Sequence, residues 1–285
     1  MKPEYAKVYI PGGENYAHIK KTLRSRALFT VCEEARCPPN IAECWDSGTA
    51  TFMIMGGICT RGCRFCSVTH GHPPMPLDPP DEPRKVYESV IAMGLDYVVI
   101  TSVDRDDLPD QGASHFASVI REVKKTGAVV EVLIPDFQGG REDLLDIVID
   151  AQPSVIAHNI ETVERLTPSV RDRRASYRQS LHVLRYIKER SGITTKSSIM
   201  LGLGETDEEV ERALDDLRQA GVDIVTIGQY LRPSRRQMPV VEYSSMERFR
   251  KMERVAYSKG FSYVASGPLV RSSYRAAEAW VSRRY

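Results

Sequence analysis

Residues 51–66 read TFMIMGGICTRGCRFC, an apolar run followed at once by a glycine-rich loop with three cysteines. Cys59, Cys63 and Cys66 have the spacing C-x3-C-x2-C. Three thiolates are one fewer than a tetrahedral four-ligand site needs, so one coordination position is left for another molecule. The stretch therefore predicts a buried strand that carries a reactive metal centre at its carboxyl end, where α/β folds place their sites.

The rest of the chain repeats a strand-then-helix pattern. Short apolar runs lie at 51–55, 97–101, 129–134, 155–158, 196–201 and 224–228, and helical patterns lie near 83–93, 112–125, 141–150, 176–190, 206–220 and 245–259. This alternation predicts an α/β fold with a parallel sheet and right-handed crossovers. Six units are too few to close a full barrel, so we predict a partial (βα)6 TIM-like barrel that is open on one side. A doubly wound open sheet is the alternative.

We predict three regions along the chain. Residues 1–50 form an N-terminal cysteine-rich extension, 51–243 form the partial barrel, and 244–285 form a C-terminal helical extension. Within the first region, apolar spacing predicts an amphipathic helix over 13–28. Pro38 and Pro39 then predict loops rather than a continuous helix around the early cysteines.

Composition and charge exclude several classes of function. Lys plus Arg total 39 and Asp plus Glu total 38, a net charge of +1 that gives no indication of nucleic-acid binding. No run approaches the ~18 apolar residues of a membrane span, and the first residues lack the apolar core of a signal peptide. We therefore expect a cytoplasmic protein without membrane partners, in which clustered cysteines indicate metal or redox chemistry rather than disulfides.

All six cysteines lie between positions 32 and 66, in two triplets. The first triplet is Cys32, Cys37 and Cys44, with the spacing C-x4-C-x6-C. Thiolates are suitable ligands for zinc and for iron–sulfur clusters. Zinc fingers usually carry paired C-x2-C knuckles, which neither triplet shows, so structural zinc is the less favoured alternative. Two incomplete triplets favour two iron–sulfur clusters, each with one position left open.

The second triplet, with the aromatic Phe65 before its last cysteine and a strand before its first, resembles that of the radical S-adenosylmethionine (SAM) enzymes. The resemblance implies that Cys59, Cys63 and Cys66 hold a 4Fe–4S cluster whose fourth iron binds SAM. One electron from that cluster cleaves SAM to methionine and a 5′-deoxyadenosyl radical, which abstracts hydrogen from an unactivated carbon. A radical is needed because an alkyl C–H has no acidic proton for acid–base catalysis to remove.

The first triplet and the C-terminus resemble those of lipoyl synthases. The matching stretches are VCEEARC followed by PNI and EC, and SGPLVRSSY at 266–274. The resemblance implies a second, auxiliary 4Fe–4S cluster on Cys32, Cys37, Cys44 and Ser273, with Ser272 as the alternative serine. A serine oxygen is a hard ligand, so its bond to iron breaks more easily than that of a thiolate.

The cysteine spacing departs from the family pattern, and the two serines have an alternative interpretation. The family spacing is C-x4-C-x5-C, and the Pro38–Pro39 pair adds one residue here, so the loop must follow a different local path. On the residues alone, Ser272 and Ser273 could instead cap a helix over 274–280.

The segments after the predicted strands also match the family. The resemblance places SAM among Phe65, Asn159, Glu161, Gly202, Gly204 and Glu205. The two glycines would let the backbone approach the nucleoside, although GLGE could equally end a strand and begin a helix at Thr206. His158 is interpreted as a hydrogen-bonded strand-end histidine without a catalytic role. Ser198 stands where the family usually has glycine.

The lipoyl synthase resemblance implies a specific reaction. Two sulfur atoms from the auxiliary cluster are inserted at C6 and C8 of an octanoyl group that is amide-linked to a lysine, with two SAM molecules consumed. The substrate protein is an octanoylated lipoyl carrier domain or H-protein. An electron donor such as ferredoxin or flavodoxin and a cluster-repair carrier complete the expected partners. We predict that an acidic docking face on the carrier binds to four arginines of this chain, namely Arg171, Arg173, Arg232 and Arg235.

Other functions remain as alternatives. Another radical SAM enzyme that inserts sulfur or transfers a methylthio group would share the second triplet, but it would more often add an RNA- or protein-binding domain, which the sequence does not show. An electron-transfer iron–sulfur protein would use complete four-cysteine sites. A non-catalytic zinc scaffold is the simplest alternative.

Overall fold

A computed structural model of the chain describes residues 3–4, 26, 28–34, 49–74, 77, 81–273 and 276. Its main sheet has eight strands. In the order of the sheet they are β1 (Phe29–Thr30), β2 (Thr49–Ile54), β5 (Tyr97–Ser102), β6 (Val129–Leu133), β7 (Val155–Ala157), β8 (Thr194–Leu201), β9 (Ile224–Gln229) and β10 (Tyr263–Gly267). A separate two-stranded sheet joins β3 (Ile58–Cys59) to β4 (Thr69–His70).

The strand order confirms the partial barrel. β1 runs antiparallel to β2, and the seven strands from β2 to β10 are mutually parallel and follow one another in chain order. A doubly wound sheet would reverse its strand order at a switch point, and this sheet does not, so that alternative is wrong. Among the described residues β1 and β10 do not pair with each other, which leaves the barrel open.

Nine helices accompany the strands in the described part of the chain. They are α1 (Val31–Glu34), α2 (Glu82–Met93), α3 (Ala113–Lys124), α4 (Phe137–Gly140), α5 (Glu142–Ile149), α6 (Thr167–Val170), α7 (Tyr177–Ser191), α8 (Asp207–Gln219) and α9 (Met246–Ser258). Three long helices begin at a residue whose side chain accepts a backbone N–H of the first turn, namely Ser176, Thr206 and Ser245. These caps satisfy donors that a helix start otherwise leaves without partners.

The predicted helical patterns agree with the six long helices to within two residues at each end. The strand β10 was missed, because YVASG is short and ends in serine and glycine, which weakens the apolar signal. The helix predicted over 13–28 lies outside the described residues, except for Arg26 and Leu28, which are not helical. Pro38 and Pro39 also lie outside them. Among the described residues, no helix is long and apolar enough to cross a bilayer.

Alternate residues of each strand face the helices or the inside of the barrel. Phe52, Ile100 and Val132 belong to the core that packs against the helices, whereas Thr51 and Val99 line the interior cavity. This alternation is the two-residue period of a strand with both faces covered. The interior face is therefore where polar side chains are available for chemistry.

The barrel interior holds a buried ion pair at the cavity, whose lining includes Glu131. Lys196 on β8 donates to Glu131 on β6 at 2.8 Å, and the Tyr97 hydroxyl on β5 donates to the same carboxylate at 2.6 Å. The two charged side chains are at most 2% exposed. The pair joins strands that lie on either side of β7, so it fixes the curvature of the sheet at the site.

We predict that Lys196→Met destabilises the fold by about 3–5 kcal/mol, because it leaves the Glu131 carboxylate buried without a counter-charge. Urea unfolding monitored by circular dichroism measures the loss. Lys125→Met is the matched control, since Lys125 is exposed and its ion pair in the described part of the chain is with Glu122, three residues earlier, and its unfolding midpoint should stay near that of the parent. Lys196→Met combined with Glu131→Gln should recover part of the loss; no recovery would contradict the ion-pair explanation.

Candidate active site

The three cysteines of the C-x3-C-x2-C motif line one cavity at the carboxyl ends of the strands. The cavity has a volume of about 340 Å³ and includes residues that follow six parallel strands of the main sheet. The cysteine loop begins where β2 ends. Met55 there takes a positive φ of 67°, and the Glu82 carboxylate accepts its N–H at 3.0 Å. This turn, followed by Gly56, sends the chain from β2 across the end of the barrel.

The cysteine sulfurs accept backbone N–H groups. Cys59 Sγ accepts from Arg61 at 3.4 Å and from Asp104 at 3.3 Å, and Cys63 Sγ accepts from Asp172 at 3.3 Å. Burial raises the pKa of the Cys63 thiol to about 12 and that of Cys66 to about 11. The N–H donors oppose this shift and favour negative sulfur, so the pocket suits thiolates that are bound to a metal.

The donor set fits an iron–sulfur cluster better than a single zinc ion. A single zinc ion needs its sulfur ligands about 2.3 Å from one point. Among the described residues, no group of three or more His, Cys, Asp or Glu side chains converges in that way. The three thiols of the loop are nevertheless free and line a shared space, as a multi-iron cluster with wider ligand spacing requires.

The centre of the cysteine loop is held by the guanidinium of Arg61, which is 5% exposed. Arg61 pairs with both oxygens of Asp106 at 2.8 Å, with Asp136 at 2.7 Å and with Asp104 at 3.4 Å. Asp104 and Asp106 follow β5, and Asp136 follows β6. One cation therefore joins three loops at the carboxyl end of the sheet, in a bidentate geometry that only arginine provides.

Other loops bond to the remaining sides of the cysteine loop. The Asp172 carboxylate, after β7, accepts the Gly62 N–H at 2.9 Å. On the other flank, after β9, the Gln237 side chain donates to the Cys66 carbonyl at 3.1 Å and the Met238 N–H donates to the Arg64 carbonyl at 3.0 Å. The loop conformation is thus set by tertiary contacts that no local pattern contains.

Three of the six residues predicted around SAM lie in this cavity. Phe65, Asn159 and Glu161 all line it. Asn159 donates to Glu161 at 3.1 Å, but its own carbonyl oxygen is buried without a partner among the described atoms, as is one oxygen of Asp136. Glu161 has a positive φ of 66°, and burial raises its pKa. Strain and unpaired acceptors at one place indicate a ligand that donates hydrogen bonds.

The other three residues, Gly202, Gly204 and Glu205, lie in the loop after β8 and do not line the cavity in this structure. Glu205 accepts the backbone N–H groups of Gly202 and Leu203 at 2.7 and 2.9 Å. A Cβ at Gly202 would lie 2.2 Å from Gln229 Nε2 and 2.4 Å from the Glu242 carbonyl oxygen. Packing within the protein therefore already requires this glycine, and SAM contact by the three residues stays a prediction.

The residues predicted for the auxiliary cluster are only partly described. Cys37, Cys44 and the side chain of Cys32 lie outside the described residues. The backbone of Cys32 is in α1, whose Val31 lines the cavity and whose Glu34 carbonyl accepts the Ser67 hydroxyl at 3.0 Å. The first triplet thus begins beside the second.

The two C-terminal serines, Ser272 and Ser273, line the same cavity as the three motif cysteines. Ser273 is buried, whereas Ser272 is half-buried. A helix-capping role ahead of residues 274–280 cannot be assigned, because that segment lies almost wholly outside the described residues. The structure therefore brings the end of the chain to the cysteine motif, a separation of more than 200 residues in sequence.

The predicted hydrogen bonding of His158 is confirmed, and its lack of a catalytic role stays a prediction. His158 Nδ1 donates to the Ile134 carbonyl at 2.9 Å, and its Nε2 accepts the Ser180 hydroxyl at 2.9 Å. Burial lowers the pKa of His158 to about 4, so the ring is neutral. The Ser180 oxygen in turn accepts from Arg171 at 2.7 Å, which completes the network and explains the assigned tautomer.

Arg171 corrects the prediction of a docking face. It is 8% exposed and lines the cavity, so it is not available to a docking protein. A cluster of arginines in sequence does not show which members turn inward, since that depends on Ser180 and Glu161 from other elements. Arg61, Asp104 and Asp136 were likewise not predicted as site residues; the only signal in the sequence was their position after strands.

Comparison with known proteins identifies the family. A profile described as the radical SAM superfamily matches residues 53–229, and one described as the N-terminal domain of lipoyl synthase of the radical SAM family matches residues 1–37. The chain is 69% identical to the lipoyl synthase of Picrophilus torridus over 275 residues, which cover 96% of this chain and 95% of that protein. This chain belongs to the lipoyl synthase family. The lipoyl synthase of Myxococcus xanthus is 58% identical over 280 residues, covering 97% of this chain and 93% of that protein.

Solved structures agree with the fold expected of a lipoyl synthase family member. Methylornithine synthase (PylB) aligns with a TM-score of 0.57 and 13% identity, covering 87% of this chain and 71% of that one. Streptococcus suis SuiB bound to S-adenosylmethionine aligns with a TM-score of 0.58 and 10% identity, covering 79% of this chain and 53% of that one. At these identities the likeness is one of fold alone.

We predict that His158 makes the free energy of unfolding of this lipoyl synthase family member decrease as the pH is lowered from about 6.5 to about 4. The folded state binds the His158 proton more weakly than the unfolded state, so its contribution is complete above pH 6.5 and is lost as pH falls through about 4. The full loss is on the order of 3 kcal/mol. Urea unfolding at pH 7.5, 5.5 and 4.5 measures it. His158→Gln should flatten this dependence, and an unchanged slope in the variant would contradict the prediction.

Proposed function

We propose that this chain inserts two sulfur atoms, at C6 and C8, into an octanoyl group carried on a lysine of a lipoyl carrier domain or H-protein. The observation that carries the proposal is the shared cavity, lined at once by Cys59, Cys63 and Cys66 and by Ser272 and Ser273. Family membership over nearly the whole chain supports the same reaction. The reaction joins the radical source and the sulfur source in one space, as this cavity would allow.

The three cysteines that line the cavity suit one iron–sulfur group, and Ser273 in the same lining would contribute to a second. Cys59, Cys63 and Cys66 would hold one, and Cys32, Cys37, Cys44 and Ser273 would hold the other. When bound, the first supplies the electron that cleaves SAM, and the second supplies the sulfur. The protein contributes position and environment, since such cofactors carry the difficult chemistry themselves.

Asn159 and Glu161 would orient SAM. The unpaired Asn159 carbonyl oxygen and the Glu161 carboxylate are acceptors that face the cavity, and the ammonium and adenine groups of SAM are donors. Arg171 is the nearby cation that offsets the buried Glu161. Phe65 packs beside Leu203 and Tyr230 and would cover one face of the ligand.

The octanoyl chain needs an apolar wall and protection from water. The cavity lining includes Val31, Met53, Val99, Leu133 and Met200. An alkyl radical is easily diverted by solvent or oxygen, so these side chains would exclude both while the acyl chain is held. The amide end must leave through the open side of the barrel, because the carrier protein cannot enter.

Docking of the carrier would involve the exposed arginines Arg173, Arg232 and Arg235. The Arg232 guanidinium donates to the carbonyls of Gln237 and Arg235 at 2.7 and 2.6 Å, which fixes the loop that also bonds to Cys66. Basic residues beside the cavity mouth would attract an acidic carrier. We further place the protein in the cytoplasm, with a ferredoxin or flavodoxin as electron donor and a separate cluster-repair carrier.

The reaction is tested with reconstituted, anaerobic protein, SAM, reductant and an octanoyl-lysyl peptide. We expect mono- and dithiolated peptide by mass spectrometry and roughly eight irons per chain for two clusters. Cys37→Ala should still form 5′-deoxyadenosine but no thiolated product, whereas Cys63→Ala should form neither. Of the serine variants, Ser273→Ala should lower dithiolated product more than Ser272→Ala. Thiolated product from Cys37→Ala would remove the sulfur-donor role from the first triplet.

We predict that Arg173→Glu with Arg235→Glu raises KM for an octanoylated carrier about tenfold at low salt, because charge reversal repels an acidic partner. The effect should shrink as ionic strength rises, and kcat with the short octanoyl-lysyl peptide should not change. Arg121→Glu is the control, because Arg121 is exposed in the last turn of α3, at the opposite end of the barrel. If the double variant and the Arg121→Glu control had equal KM values for the carrier, the proposed docking surface would be wrong.

A further inference from the structure

After β10 the chain turns back over the end of the barrel. The Val270 N–H donates to the Gly267 carbonyl at 3.1 Å, and one nitrogen of the Arg271 guanidinium donates to the Val270 carbonyl at 2.6 Å. This turn brings Ser272 and Ser273 to the wall of the cavity. The position of both serines therefore depends on where the Val270 peptide lies.

The Val270 peptide lies directly against Gly228 of β9, on the face of the strand that lines the cavity. A Cβ at Gly228 would lie 2.2 Å from the Val270 carbonyl oxygen and 3.1 Å from its carbon. Real Cβ atoms essentially never come closer than 3.0 Å to such a neighbour. Because that neighbour is backbone rather than the end of a flexible side chain, any side chain at Gly228 would displace the turn itself.

The chain contacts the barrel again a few residues later. Ala276 is fully buried against Tyr97 and Val99 of β5. In the sheet, β5 and β9 are separated by β6, β7 and β8. The segment from Val270 to Ala276 is therefore held against the inner face of the sheet at two places, Gly228 on β9 and the Tyr97–Val99 pair on β5. Because of these two contacts, a shift at Val270 is confined to the residues that line the cavity.

Gly267 on β10 offers a matched comparison. It pairs in register with Gly228 on the neighbouring strand. A Cβ at Gly267 would meet a Val270 methyl at 3.5 Å, an ordinary contact. Neither glycine has a φ in the left-handed region, so alanine fits the backbone at both positions. The two sites thus differ in contact with the Val270 carbonyl and not in backbone conformation.

We propose that Gly228 is a positioning residue: its missing side chain admits the Val270 peptide and so places the serine segment 270–273 at the wall of the cavity that the cysteine loop also lines. That placement is what lets a serine oxygen reach the auxiliary cluster, and this second step rests on the proposed function. The placement of segment 270–273 does not rest on the proposed function.

The test compares Gly228→Ala with Gly267→Ala in the full-length chain. In cluster-free protein, hydrogen exchange at the Val270 amide should be at least tenfold faster in Gly228→Ala than in the parent and unchanged in Gly267→Ala. In reconstituted protein, Gly228→Ala should form 5′-deoxyadenosine within about twofold of the parent, while dithiolated product falls on the order of 100-fold, as expected for a displacement near 1 Å. If Gly228→Ala showed the same exchange rate at the Val270 amide and the same amount of dithiolated product as the parent, the proposal would be wrong.

A second variant keeps the test decisive if Gly228→Ala does not fold. Arg271→Ala removes the guanidinium that holds the Val270 carbonyl and changes no residue of β9, so it should speed the same exchange and lower dithiolated product with SAM cleavage retained. If Arg271→Ala showed the same exchange rate at the Val270 amide as the parent, the proposal would then be wrong. Faster exchange in either variant, with no thiolated product even from the parent, would support the placement and reject the proposed function.

Discussion

The buried guanidinium of Arg61 is the interaction on which the active site depends. It lies inside the cysteine loop and pairs with Asp104, Asp106 and Asp136 at 2.7–3.4 Å. These carboxylates come from the loops after β5 and β6, so a single cation fixes the loop after β2 against its two neighbours. Without it, Asp104 and Asp136 would lose this counter-charge and Asp106 would keep Arg174 at 3.2 Å, a cost of several kcal/mol. The cysteines can present their sulfurs to one space only because this cost is offset.

The barrel explains why so many distant residues meet at that loop. In a parallel sheet with chain-order neighbours, every strand ends at the same edge. The loops after β5, β6, β7 and β9 each supply a bond to residues 59–66, through Asp104, Asp136, Asp172 and Gln237. The N-terminal segment reaches the same edge through the Ser67–Glu34 hydrogen bond, and the C-terminal serines reach it through the turn at Val270. The three motif cysteines and the two C-terminal serines, which are far apart in the sequence, are thereby brought to one cavity.

The sequence predicts some of this well and some of it not at all. The C-x3-C-x2-C loop, the six long helices and the partial barrel follow from spacing and period, which are local properties. Asn159 and Glu161 were predicted because they follow a strand and match a family segment. Arg171 was misjudged, because its burial depends on Ser180, and the reason for Gly202 was missed, because it depends on Gln229 and Glu242. The close approach of Val270 to Gly228 joins positions 42 residues apart, and no periodicity records such a contact.

The turn at Val270 also has a consequence for how the protein is made. Domains form from the N-terminus onward during translation, at about 5–20 residues per second. The motif cysteines and the loops that bond to them are complete by residue 238, whereas the serine segment and Ala276 are made later. The barrel interior is consequently open on the side of the serine segment until residues 270–273 have been made.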